Sequence, residues 1–189
     1  MKRELVLRNR QRIRAIDLRL LRRIGQKLLD ELLPGGQIEL GVHLVTAAEM
    51  EKLNRHFLEH EGPTDVITFD YAFGVPSSGG QVMQKPMRGN IALRNRRKAE
   101  LQTVHGEIFI CLDEAVSQAR QFRATWQSEV VRYLVHGLLH LRGYDDLQPA
   151  ARRAMKREEN RLLRELSNRF TFANLGKGGI RRRSEIRKS

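Results

Sequence analysis

At 189 residues the chain has the length of one domain with a single core plus tails. Lysine and arginine outnumber aspartate and glutamate by 35 to 22, a formal net charge of +13 that points to a polyanionic partner such as RNA, although membranes and acidic proteins also attract a basic surface. A single cysteine excludes a disulfide within the chain and suits a reducing cytoplasm, and no stretch is long and uncharged enough for a bilayer span or a signal-peptide core.

Glu4 to Leu7 reads as a short strand, which favours a cytoplasmic protein over an arginine-rich organellar transit peptide. Asp17 then caps a helix in which Leu21, Ile24, Leu28 and Leu32 recur at helical spacing, and Pro34-Gly35-Gly36 stops it. Ile38, Leu40, Val42 and Leu44 alternate with Glu39, Gly41 and His43, the period of a strand with one buried face, so His43 points away from that core and needs no special role. Thr46-Ala47-Ala48-Glu49 is a capping box that opens a helix burying Met50, Leu53 and Phe57 and ending near Gly62-Pro63.

The β-branched run from Pro63 to Phe69 reads as a strand, and residues 74–90 as a flexible loop rich in glycine, serine and proline. Arg94, Arg96, Arg97 and Lys98 form a basic cluster, either a solvated loop or an RNA contact. Strand character returns from Gly106 to Ile110, followed by Cys111 as a small buried hydrophobe and by a helix through Ala115, Ala119 and Phe122.

The helix expected from about Thr125 buries Val131, Leu134, Val135, Leu138 and Leu139, and it carries His136 and His140. Residues four apart lie one above the other on a helix, so both imidazoles reach one point in space. Gly143 can take the positive φ that ends the helix, turning the chain back so that Asp146 brings a carboxylate towards the same point. Three protein ligands with one open position is how catalytic zinc is held, and the expectation is one zinc per chain on His136, His140 and Asp146. The plain alternative is a pair of satisfied core histidines, since the bare spacing arises by chance; the glycine and the acid at fixed offsets favour the metal. Pro149 suits the first turn of a last helix, beyond Arg164 the apolar spacing fades, and residues 166–189 are expected to form a basic, disordered tail after a domain spanning 1–165.

The run from His136 to Asp146, HGLLHLRGYDD, resembles the H-G-x-L-H-L-x-G-Y-D-H signature of the YbeY family of bacterial metal-dependent endoribonucleases. Only the last position departs, an oxygen ligand at Asp146 replacing the family's usual histidine. A second signature is matched by Leu53, Asn54, Phe57, Pro63, Thr64, Asp65, Val66 and Phe69, with Thr68 in place of a serine. Leu58 stands where the family has an arginine thought to hold the RNA phosphate; Arg55, one helical turn earlier, or His56 and His60 nearby are the substitutes at hand. Gly106-Glu107-Ile108 is similar to the family's Gly-Asp-Ile strand, and Met155 and Glu159 to its spaced Met and Glu pair.

Strands and helices mingle without a regular strand-helix-strand rhythm, which reads as α+β. The resemblance covers roughly residues 4–165 and implies the same class: a small mixed four-stranded sheet, about five helices and the metal-site helix beneath the sheet. It further implies a single-strand-specific endoribonuclease working in the cytoplasm on ribosomal RNA and the ribosome, in 16S 3′-end maturation and ribosome quality control. His136 and His140 would be catalytic through a metal-activated water, in a metal-assisted hydrolysis of a phosphodiester.

Two rival functions share these features. H-x-x-x-H-x-x-G-x-x-H/D is also the zinc frame of metzincin proteases, but those need a glutamate directly after the first histidine, where this chain has Gly137. A non-catalytic RNA- or ribosome-binding protein with a structural metal fits the charge equally well. Asp145, Glu107 and Asp65 are candidates for a general base, each with an ordinary structural reading, and none is assigned.

Overall fold

The computed structural model describes residues 2–58, 62–71 and 103–177. Four strands, β1 (Arg3–Asn9), β2 (Gln37–Val45), β3 (Val66–Asp70) and β4 (Thr103–Cys111), form one sheet in the order β1-β2-β4-β3. β1 runs parallel to β2 and β2 to β4, while β3 pairs antiparallel on β4, with Leu5 opposite Leu40, Leu40 opposite Gly106 and Thr68 opposite Ile108. The helices are α1 (Leu18–Leu32), α2 (Ala47–Leu53), α3 (Leu112–Gln121), α4 (Trp126–Leu141) and α5 (Pro149–Arg169), with a π-helical turn over Asn54–Leu58 and a 3-10 turn over Phe172–Lys177. This is the α+β architecture expected, with a mixed four-stranded sheet.

Local chemistry sets the helix starts. The Asp17 carboxylate accepts from the backbone N–H of Arg19 and Leu20, at 2.9 and 3.0 Å, and the Thr46 hydroxyl accepts from Glu49 at 3.3 Å. At α4, Thr125 and Ser128 cap each other reciprocally, a capping box in which serine does the work usually given to an acid.

Period-2 alternation then gives each sheet face its own core. On one face Ile38, Leu40, Val42, Leu44, Ile108 and Ile110 pack under α1, α4 and α5, whose Leu21, Ile24, Leu134, Leu138, Met155 and Leu162 are essentially inaccessible. On the other, Val45, Ile67, Phe69, Phe109 and Cys111 form a smaller cluster with Met50, Leu53 and Phe57 of α2 and the π-helical turn. α4 is thus anchored along its length by apolar burial, each such side chain contributing roughly 1.5–3 kcal/mol.

Three expectations need correction. His43 does point away from the main core, yet it is only 3% exposed, because Phe109 of the smaller cluster stacks on its ring at 4.5 Å. The helix expected through Phe122 ends one residue earlier, at Gln121, leaving Phe122 66% exposed where the chain turns at Arg123 with a φ of 52°. Residues 166–177 are not tail: α5 continues to Arg169 with Leu166 buried, and the 3-10 turn buries Leu175 and receives the Asp17 N–H on the Leu175 carbonyl at 2.8 Å. Residues 178–189 lie outside the described residues. Among the described residues no helix is long and apolar enough to cross a membrane.

Candidate metal centre

α4 turns its apolar stripe to the sheet and leaves His136 and His140 on its flank. Their Nε2 atoms face each other at 3.0 Å, and Asp146 Oδ2 lies 3.8 Å from His136 Nε2. One ligand atom from each of these three residues falls within 4.8 Å of the other two. Asp146 arrives there because the helix ends in a Schellman turn: Gly143, at φ +94°, donates its N–H to the His140 carbonyl at 2.8 Å, and Tyr144 donates to Leu139 at 3.0 Å. Arg152 then holds the Asp146 carbonyl at 2.7 Å, and the Asp145 carboxylate accepts from the Leu147 N–H at 2.9 Å.

The opposite ring nitrogens fix which face each imidazole offers. His136 Nδ1 meets Glu159 Oε2 at 3.3 Å, and His140 Nδ1 meets the Tyr144 carbonyl at 3.1 Å. Both partners are acceptors, so each Nδ1 carries the proton and each Nε2 presents a lone pair. Two lone pairs aimed at each other across 3.0 Å repel unless a cation sits between them, and with a carboxylate beside them the donor set fits a divalent metal of the zinc type. Burial, then the neighbouring His136, pushes the His140 imidazole down, against the pull of Asp146, so it keeps its neutral, ligating form further into acid.

Glu159 is buried within the apolar stripe of α5, between Met155 and Leu162. Burial alone would raise its carboxyl, but His136, Lys156 Nζ at 2.7 Å and Arg132 Nη1 at 2.8 Å outweigh it and hold it down at about 2. The depressed value stabilises the fold above about pH 4.5, on the order of 3 kcal/mol, and that contribution is lost as the pH falls towards 2. Glu159→Gln keeps the shape but removes the charge, so it is expected to weaken affinity for a divalent metal by roughly 10–100-fold and to flatten the acid limb of a stability-against-pH series. Competition with a chromophoric chelator measures the first, denaturant titration between pH 2 and 5 the second.

Arg132, Lys156 and the Tyr144 carbonyl have no part in the sequence reading of the site, and Glu159 enters it only as half of a spaced Met and Glu pair with no role assigned. The available signal was an acid inside the otherwise apolar stripe of α5.

Gly137 has a packing reason. A Cβ there would lie 2.9 Å from Ile108 Cγ2 and 3.1 Å from Thr68 Oγ1, so any side chain at this position is driven into the sheet. Gly137→Ala is expected to lose about 1–2 kcal/mol in denaturant unfolding, overpacking exceeding the gain in helix propensity.

The remaining candidates lie apart. Glu107 is on the opposite sheet face, bound to His43 and Tyr71 at 3.0 and 2.9 Å, and the Asp65 carboxylate accepts from Val66 N–H at 2.9 Å at the start of β3. Arg55 is exposed on the π-helical turn, paired with Glu51 at 2.9 Å, and that turn packs against the face away from α4. His56 shares the turn and Leu58 closes it. His60 and the cluster Arg94, Arg96, Arg97 and Lys98 lie outside the described residues.

Comparison with known proteins gives this geometry a context. The family described as Endoribonuclease YbeY matches residues 6–167. The chain belongs to this family. It is 35% identical over 115 residues to an endoribonuclease YbeY of Salinibacter ruber, covering 60% of this chain and 61% of that protein. The endoribonuclease YbeY of Pelotomaculum thermopropionicum is 30% identical over 148 residues, 78% of this chain and 85% of that protein. In the first of these alignments the chain thus spans about three fifths of the relative's length. The solution structure of TM1509 from Thermotoga maritima shares the fold, with a TM-score of 0.54 at 23% identity over 88% of this chain and 91% of that one.

Proposed function

We propose that the chain is a single-strand-specific, zinc-dependent endoribonuclease that acts in ribosomal RNA processing, 16S 3′-end maturation and ribosome quality control, with ribosomal RNA and the ribosome as partners. The observation that carries this reading is the convergence of the His136 and His140 Nε2 lone pairs with the Asp146 carboxylate, in a member of the endoribonuclease YbeY family.

His136, His140 and Asp146 would hold one zinc ion, which when bound supplies Lewis acidity and positive charge at a scissile phosphodiester. The protein's own part is orientation. Glu159 and the Tyr144 carbonyl keep both imidazoles in the ligating tautomer, and Arg132 and Lys156 neutralise Glu159 so that it remains an acceptor. Arg152, Arg153 and Arg157 are exposed on α5, the helix that carries Glu159, and suit phosphate contacts beside the site. Arg55 and the cluster Arg94 to Lys98 would add further contacts along the strand. No residue is assigned as general base.

The protease alternative is weaker for a physical reason. The glutamate it requires would stand at position 137, where a side chain meets Ile108 rather than the ligands. A purely structural metal is also disfavoured, because α4 is already fixed by its cap and its core stripe. The test is to offer the zinc-loaded full chain a labelled single-stranded RNA and a mixed peptide library in parallel. Cleavage of the RNA alone is expected; cleavage of peptides with RNA intact would reverse the assignment.

A further inference from the structure

Among the described residues the sheet face away from α4 is covered only in part. Strand register aligns three rows across β1, β2 and β4 on this face: Glu4, Glu39 and His105; Val6, Gly41 and Glu107; Arg8, His43 and Phe109. The middle position, Gly41, has no side chain, and around it the face forms a hollow of about 390 Å3 that Tyr71 also lines. A Cβ at Gly41 would sit 3.1 Å from His43 Nε2 and 3.2 Å from Glu107 Cγ, so the missing side chain is what keeps the hollow open over that pair.

The polar walls are built, and they are acceptors. Glu107 receives His43 Nε2 at 3.0 Å on one oxygen and the Tyr71 hydroxyl at 2.9 Å on the other, which leaves about two of its roughly four lone-pair sites. With Nε2 donating to Glu107, His43 Nδ1 is an acceptor, and it is buried without a hydrogen-bond partner in a residue only 3% exposed. Being inaccessible, that nitrogen offers nothing to a ligand in the hollow, and the acceptors a donor there can reach are carboxylates, Glu107 first. Glu39 adds a second. Tyr71 and His105, edge to face at 5.5 Å, offer ring surfaces at the rim. Lys2 bridges Glu4 and Glu39 at 3.3 and 3.2 Å, and Arg8 stands exposed beside the hollow, so an incoming phosphate meets no uncompensated negative charge from those two acids.

We propose that this hollow receives a nucleobase bearing an amino group (cytosine, adenine or guanine) from single-stranded RNA, an inference that rests on the reading of the chain as acting on RNA. The ring stacks against Tyr71 and His105, its amino N–H groups bond to the free acceptor sites, and Arg8 takes the adjoining phosphate. Uracil presents carbonyl oxygens where cytosine presents its amino group, and is disfavoured there. The hollow lies on the face opposite the candidate metal centre, so it selects sequence at a distance from the cut.

The test is fluorescence anisotropy of the full zinc-loaded chain with labelled, cleavage-resistant phosphorothioate RNA decamers of cytidine and of uridine. Wild type is expected to bind oligocytidine about tenfold more tightly. Gly41→Val, which fills the hollow, and Glu107→Gln, which keeps the shape but converts an acceptor to a donor, should each bring that ratio close to one with zinc content and salt dependence unchanged. Glu107→Gln carries the test alone if Gly41→Val does not fold. Equal binding of the two decamers by wild type, or a preference retained in Glu107→Gln, would overturn the hollow while leaving the nuclease reading in place. Binding of neither decamer would remove both.

Discussion

His136→Ala and His140→Ala are each expected to lower zinc from about one ion per chain to a small fraction and to abolish RNA cleavage together with it. Loss of a group that merely orients a ligand costs roughly 10–100-fold in affinity, and loss of a ligand itself exceeds that. The fold should survive. Removing the His136 ring leaves Glu159 held by Arg132 and Lys156, and α4 keeps its Thr125 cap and its burial against the sheet. Metal analysis of dialysed protein, set beside its far-ultraviolet circular dichroism, separates loss of the ion from loss of structure. Full metal occupancy in both variants would end the assignment.

Asp146 offers the second large effect, and a direction. Asp146→Ala leaves two ligands, so zinc affinity and cleavage should both collapse; the turn itself should persist, because Arg152 holds the Asp146 backbone carbonyl rather than its side chain. Asp146→His should retain the metal, since imidazole is an ordinary zinc ligand, and it should leave the site one unit more positive. The three proteins compared for zinc affinity in one buffer series decide the matter. An Asp146→Ala variant that keeps both metal and activity would make Asp146 a turn residue, with Asp145 the next carboxylate to test.

Much of this was legible in the residues because the signals were local. The alternation from Ile38 to Leu44 located β2, Asp17 and Thr46 marked helix starts, and the four-residue spacing with Gly143 and Asp146 located the candidate ligands. What stayed hidden depends on tertiary packing. Alternation placed His43 on the right face but could not show that the ring of Phe109 would stack on it. Glu159 stood out in the sequence only as half of a spaced Met and Glu pair, and its role appears once α5 packs its Met155 and Leu162 stripe beside α4, bringing the carboxylate to His136. Leu175, isolated among glycines and a lysine, has no periodicity to announce that it fills a gap against α1 and α4. The order of β3 and β4, with the later strand inserted between β2 and the earlier one, is likewise set by long-range pairing that no local pattern encodes.

The most direct measurement is a zinc titration of the chelated full chain that follows cleavage of single-stranded RNA and helix content in the same samples. Cleavage should rise from background and saturate near one zinc per chain, while the helical signal stays constant throughout. Cleavage that persists in chelator, or a helical signal that appears only as zinc is added, would contradict a catalytic ion held by His136, His140 and Asp146.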